Sequence, residues 1–300
     1  MSAVRELCPD DPGRIADYQV EGRLGQGRHG VVYLATGPYG ETVAIRRLDQ
    51  RPGADWARPA FADEVAAARL VAPLCTAQIL DVDLKGPGAY VVSEYVEGPT
   101  LREHIDRFGP MTDTQLQRLA LGTMVALAAI HHAGLAHRHL NPANIILSDD
   151  GPRMVDYTTP RDVAPPVTGT APVHQQRFQP IQAQRGDDML AWASIIIFAA
   201  AARPVWTTAP ASCAKGPLRQ HRTPKALPVG LRKLLSQVLS SDPPLRPTAQ
   251  QALALLLGRP ASAVDLSDPT PVLAEAAWLV RAAYMPPIGE ITSRTSCDGR

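Results

Sequence analysis

Lysine is nearly missing from this chain. Of 30 basic residues only Lys85, Lys215, Lys225 and Lys233 are lysine, and the rest are arginine. Net charge is missing too. The formal charge is +1, so no strong field draws nucleic acid or an anionic membrane surface. Aromatic residues make up 5%, too few for the stacking platforms that single-stranded nucleic acid uses. No nucleic-acid partner is expected. The four cysteines, Cys8, Cys75, Cys213 and Cys297, stand far apart with no C-x-x-C pair. That spacing excludes a disulfide framework and suits a reducing compartment. The opening "MSAVRELCPDDPG" has no apolar h-region, so a secretion signal is not expected and the cytoplasm is the expected location. The longest uncharged apolar stretch runs from Met189 to Ala202, between Asp188 and Arg203. It is shorter than the ~18–20 residues a membrane span needs, and it predicts a helix buried on all sides.

With 45% hydrophobic residues, a chain of 300 can bury one large core or two modest lobes. From Tyr18 to Tyr95 the segments "YQVEGRLG", "GVVYLATG", "ETVAIRRL" and "AYVVSEYV" alternate or run β-branched, with glycine between them. They predict strands. One helical segment, Pro59 to Leu74, interrupts them. After Gly98 the pattern turns helical. Thr112 and Gln115 form a capping-box signature, and Leu116, Leu119, Thr123, Leu127 and Ile130 fall on one helical face that stops at Gly134. Further helices are predicted over 189–202, 228–240 and 247–257, with a short one over 272–284. Residues 203–226 are proline-rich and irregular, 259–271 reads as a linker, and the tail "GEITSRTSCDGR" as disordered. The expected architecture is α+β. It has an N-terminal arm (1–17), a small strand-rich lobe with one helix (18–98), a larger helical lobe (99–258), and a linker, helix and tail (259–300), with a cleft between the lobes.

"GQGRHGVVYLA" places Gly25, Gly27 and Gly30 in G-x-G-x-x-G spacing, with Val32 two residues on. Glycine lets a backbone turn sharply and approach phosphates. A strand precedes this motif and another strand follows, which argues against a dinucleotide fold and for a glycine-rich hairpin over phosphates. Standing alone, the motif is a weak signal, and an ordinary hairpin is the alternative. It is followed by "VAIR" (Val43 to Arg46), "HRHLNPANIIL" and "MVDYT", in the order and at the distances of the protein-kinase signature set. The sequence resembles the bacterial, eukaryotic-like Ser/Thr protein kinases over nearly its whole length, to "DPPLRPTAQQALALLLG".

The resemblance implies roles. Gly25, Gly27, Gly30, Val32, Ala44, Glu94 and Val96 match the nucleotide-binding positions, Asn144 and Asp156 the Mg²⁺ positions, and Glu64 the glutamate of the small-lobe helix. Arg138 matches an arginine that can hold a phosphorylated activation loop. The departures are chemical. Arg46 stands for the phosphate-holding lysine, and its longer planar fork suggests an Arg46–Glu64 bridge rather than a phosphate grip. Lys85 sits in a turn and does not replace it. His139 stands for the aspartate that accepts the substrate's hydroxyl proton; imidazole can act as a base but lacks a fixed negative charge. Asn141 replaces the loop lysine. Thr158 replaces a hinge glycine and is stiffer. No glutamate occurs from His104 to Ala274, so the A-P-E segment is missing and Arg246, which would pair with its glutamate, must find an aspartate or a carbonyl.

These substitutions predict a pseudokinase that binds a protein partner as a regulatory module. It requires no cofactor and has at most a weak ATP–Mg²⁺ site. One alternative is a weakly active Ser/Thr kinase with His139 as base and Arg46 on phosphate. Another is a nucleotide-binding fold that transfers a different group, such as adenylyl. Thr168 and Thr170 are candidate phosphorylation sites that Arg138 would receive. The run His131, His132, His137 and His139 lacks the regular pairing of a zinc site, and Trp192 and Trp206 read as core.

Overall fold

The computed structural model describes residues 4–27, 30–48, 59–85, 88–158, 181–202, 227–240, 242, 245–260 and 270–284. Thr168, Thr170, Trp206, the proline-rich run 203–226 and the C-terminal tail lie outside the described residues.

The small lobe is a six-stranded antiparallel sheet of β1 (Arg14–Ile15), β2 (Tyr18–Gly27), β3 (Gly30–Thr36), β4 (Thr42–Leu48), β5 (Ile79–Asp83) and β6 (Tyr90–Glu94). The spatial order is β1-β2-β3-β4-β6-β5. Alternation drives it: Tyr33 and Ala35, Val43 and Ile45, and Val92 all point to one face and share one core. Gly40, at φ +84°, lets the chain reverse between β3 and β4. Helix α1 (Pro59–Ala68) buries Phe61 and Val65 against Leu48 and Ala89. It ends at Ala68, short of the predicted Leu74; Pro73 bars any helix from running through to that residue, because it keeps Ala72 out of helical geometry. Arg5 exchanges backbone hydrogen bonds of 2.9 and 2.8 Å with Arg23 of β2, so the N-terminal arm runs along the glycine-rich strand.

The large lobe is built round α3 (Asp113–His132), whose N-terminus is closed by Gln115 Oε1 accepting from Thr112 N at 2.9 Å. Around it lie α2 (Leu101–Phe108), the β7–β8 hairpin (Ile145–Ser148 and Gly151–Met154), α4 (Ile181–Ala201), α5 (Val229–Val238), α6 (Ala249–Leu256) and α7 (Thr270–Tyr284). α3 is buried on most of its surface, so its pattern carries little amphipathic contrast. A Cβ at Gly122 would sit 2.4 Å from Pro152 Cγ, so only glycine lets α3 approach the hairpin this closely. Trp192 of α4 is fully buried, and its Nε1–H donates to Thr123 Oγ1 at 3.0 Å. α7 lays Leu273, Ala276, Ala277 and Val280 into the same core. α4 begins eight residues before the predicted Met189, because the charged residues taken as its boundary lie inside the helix.

Candidate functional site

A cavity of about 660 Å³ opens between the lobes. Its apolar end is lined by Leu24 of β2, Val32 of β3, Ala44 of β4, Val96 of the connecting segment and Ile146 of β7. Gly25, Gly27 and Glu94 also line it, whereas Gly30 does not. Gly30 pairs with Gly27 and Leu48 at the far end of its strand, with φ +125°. The Glu94 carboxylate turns to Arg153 of the large lobe at 2.5 Å.

Arg46, His139, Asn141, Asn144, Asp156 and Thr158 all reach the polar end of the same cavity. Their pairing differs from the expected one. Arg46 does not bridge to Glu64. Its Nη2 lies 2.6 Å from Asp156 Oδ1, with both side chains about 15% exposed. The guanidinium fork is long enough to cross from β4 to the lip of β8. No N–H is directed along that contact, and Oδ1 is buried without a hydrogen bond; the attraction is ionic. Glu64 is instead held by Arg138, Nη1 to Oε2, at 2.7 Å, while Arg138 Nε donates to Gln184 at 2.9 Å. Arg138 is therefore engaged and does not stand waiting for a phosphate.

The polar loop fastens itself. The Asn141 and Asn144 side-chain amides both donate to the His139 carbonyl, at 2.8 and 2.9 Å, which fixes the backbone under the His139 ring. Arg138 and Asp156 both have φ +67°, a left-handed conformation that costs a non-glycine residue about 1–2 kcal/mol. Asp188, fully buried at the start of the apolar part of α4, holds the first in place. Its carboxylate accepts from His137 N at 2.7 Å, Arg138 N at 2.8 Å and His131 Nε2 at 2.9 Å. His137 is also buried. Its Nε2–H must donate to the Val155 carbonyl at 3.1 Å, since a carbonyl only accepts, and Nδ1 is left without a partner. Burial pushes the His137 imidazole below its usual range, partly opposed by the Asp188 charge.

The two lobes are stitched beside the cavity. Met154 N donates to Cys75 O at 2.7 Å, Ala77 N to Met154 O at 3.0 Å, Arg153 to Thr76 O at 2.8 Å and Tyr157 OH to Ala77 O at 2.9 Å. Burial pushes the Tyr157 phenol well above its usual range, so it stays a donor. Arg246 meets the Ser240 carbonyl at 3.0 Å. The histidines disperse: His131 to Asp188, His137 to Val155, His139 to the cavity, and His132 to the exposed surface. Lys85 is exposed in its turn and does not line the cavity.

Asp188, Arg153 and Tyr157 were not singled out by sequence reasoning. Asp188 looked like the boundary of an apolar run. Only its position one residue before Met189, on the buried side of a helix, marks it as structural.

The residues at the polar end do not fit a divalent metal ion as they stand. Oδ1 of Asp156 already carries a cation. At an effective dielectric of about 20, unit charges about 4 Å apart interact by about 4 kcal/mol, so a metal would have to displace the guanidinium first. Among the described residues no group of three or more His, Cys, Asp or Glu side chains converges to replace it.

A glycine-rich hairpin over an interlobe cleft, with a helix-bearing small lobe and a helical large lobe, defines the protein-kinase fold. A family model described as protein kinase domain matches residues 18–256, and the chain belongs to that family. It is 34% identical over 265 residues to "Probable serine/threonine-protein kinase PkwA" of Thermomonospora curvata, covering 84% of this chain and 35% of that protein. It is 33% identical over 264 residues to serine/threonine-protein kinase AfsK of Streptomyces coelicolor, covering 84% and 33%. The chain thus spans about a third of the length of these curated relatives. Rad53 1–466, solved in complex with AMP-PNP, superposes with a TM-score of 0.59 at 19% identity, over 79% of this chain and 64% of that one; the likeness is one of fold.

Proposed function

We propose that this chain is a pseudokinase: a kinase-fold module that does not transfer phosphate and works by presenting a fixed surface to a protein partner in the cytoplasm. The observation that carries the proposal is the Arg46–Asp156 ion pair. It uses up both the cation meant for phosphate and the anion meant for metal. His139 then stands at the position of the base without the fixed negative charge a carboxylate would supply. Loss of a general base alone is worth about 10²–10⁴ in rate, and loss of charge stabilisation adds to it without multiplying, because one site acts as a unit. The lobes are tied by Arg138–Glu64, Arg153–Glu94 and Tyr157–Ala77, so contacts within the protein hold the surface in one posture. No helix among the described residues is long and apolar enough to cross a membrane.

A second reading has its own support. The relatives are named as Ser/Thr kinases, and the cavity is still lined by Gly25, Gly27, Val32 and Ala44. On that reading the chain is a slow Ser/Thr kinase with His139 as base. Transfer of an adenylyl group is the third. Purified protein incubated with γ-labelled and, separately, α-labelled ATP, with Mg²⁺ or Mn²⁺, separates all three. No covalent label is the expected result. Covalent γ-label favours the slow kinase, and covalent α-label the adenylyl transferase.

A further inference from the structure

We propose that residues 4–11 are a regulatory strap: they fill a strand-addition site on the outer edge of β2, and their docking sets the glycine-rich hairpin that roofs the cleft. The inference goes beyond the pseudokinase reading and holds whether or not phosphate is transferred. On its outer side β2 has only the two-residue β1 as a sheet neighbour. β1 pairs with Tyr18 and Gln19 and leaves the edge beyond them to the arm. There Arg5 and Arg23 exchange both backbone hydrogen bonds, antiparallel, at 2.9 and 2.8 Å, as a strand added to an open edge does. Side chains fix the register of the arm. Leu7 packs against the apolar core of the small lobe. Asp11, with its side chain 3% exposed, accepts from Arg23 Nε at 2.6 Å and Nη2 at 2.7 Å, from Tyr33 OH at 2.7 Å and from Cys8 N at 2.7 Å. A bidentate, charge-assisted pair of this kind is among the stronger polar contacts. Gly22 makes room for the arm: a Cβ there would collide with Val4 and lie 2.9 Å from the Arg5 carbonyl oxygen. The link to the cleft runs through Arg23. β2 shifts register against β3 on both sides of the contact, between Val20 and Gly22 and between Arg23 and Gly25, and such irregularities re-aim a strand. Arg23 Nη1 also donates to Gln26 Oε1 at 3.3 Å, and Leu24, Gly25, Gln26 and Gly27 line the cavity. The arm holds Arg23, and Arg23 holds the strand that covers the cleft.

Hydrogen exchange on the full chain, read residue by residue by NMR, tests the strap. In wild type the amides of Arg5 and Arg23 are expected to be protected at least about a hundredfold over an unstructured peptide. Asp11→Asn removes the charged pair, and Gly22→Ala blocks the seat of the arm. Each should speed exchange at Arg5, at Arg23 and across residues 24–27 by about tenfold or more. Exchange in α3 should stay unchanged, the sign that the large lobe remains folded. Faster exchange in the arm with residues 24–27 unchanged overturns the proposal, as does an arm that exchanges in wild type like free peptide. Protection of Arg5 that grows with protein concentration also overturns it, since the arm would then sit on a second copy. Should either variant unfold, wild type alone decides. In rising sub-denaturing urea the arm and residues 24–27 should merge into one opening below global unfolding, and separate openings sink the strap. None of these readouts is phosphate transfer, so the failure of this inference and the failure of the pseudokinase reading are separate events.

Discussion

The two ends of the cleft behave differently. At the apolar end Val32, Ala44 and Ile146 contribute apolar wall to the cavity, and what they offer is shape. At the polar end the work depends on charges left unspent, and Arg46 and Asp156 neutralise each other. Shape survives conservative substitution, since any apolar residue of similar volume keeps a slot open. Chemistry does not survive it, because an arginine in place of a lysine keeps the charge but changes its reach and its partner. Behind both ends the frame is sound. Asp188 still holds His137, Arg138 and His131 together. Under the proposed reading, the buried network stays in place behind two charges that pair with each other.

The sharpest way to break that contrast is to remove the frame. Asp188→Ala leaves two buried backbone N–H groups and an imidazole without their acceptor. It should cost about 3–5 kcal/mol of folding stability by denaturant titration. A loss below about 1 kcal/mol would mean that the frame does not depend on this carboxylate.

A smaller effect is expected from acid. His137 is buried, and its folded-state imidazole titrates below the ordinary value of 6.5. The unfolded chain then binds the proton first as pH falls. Stability from this group is fully present above the ordinary histidine range and declines as pH falls through it, by at most about 1.4 kcal/mol per pH unit for one proton. Thermal melts between neutral and mildly acid pH should show the decline in wild type and a flatter profile in His137→Gln. Parallel profiles would show that His137 does not carry the proton.

Much of the frame could be read from the chain. The strands of the small lobe, the capping box at Thr112 and the helix stop near Gly134 follow from local pattern. Helix α2 was missed although Thr100 and Glu103 form a second capping box in plain view. The start of α4 was missed for a different reason. Arg185, Asp187 and Asp188 look like an end of a hydrophobic run, but Asp188 is buried because its charge has partners 50 and 57 residues away in sequence. Local pattern carries no trace of such partners. The residues of the polar end were legible in kind and not in pairing. Arg46 and Glu64 were both visible as charges, yet Arg138, from the large lobe, holds Glu64 while Arg46 meets Asp156.

That choice of partner is the most direct point of attack. A double-mutant cycle on folding stability with Arg46→Met and Asp156→Asn should give a coupling of about 1–2 kcal/mol, and a parallel cycle with Arg46→Met and Glu64→Gln should give about 0.3 kcal/mol or less. The reverse pattern, strong coupling to Glu64 and none to Asp156, would place Arg46 back in the catalytic pairing and contradict the account of a cleft whose charges are spent on each other.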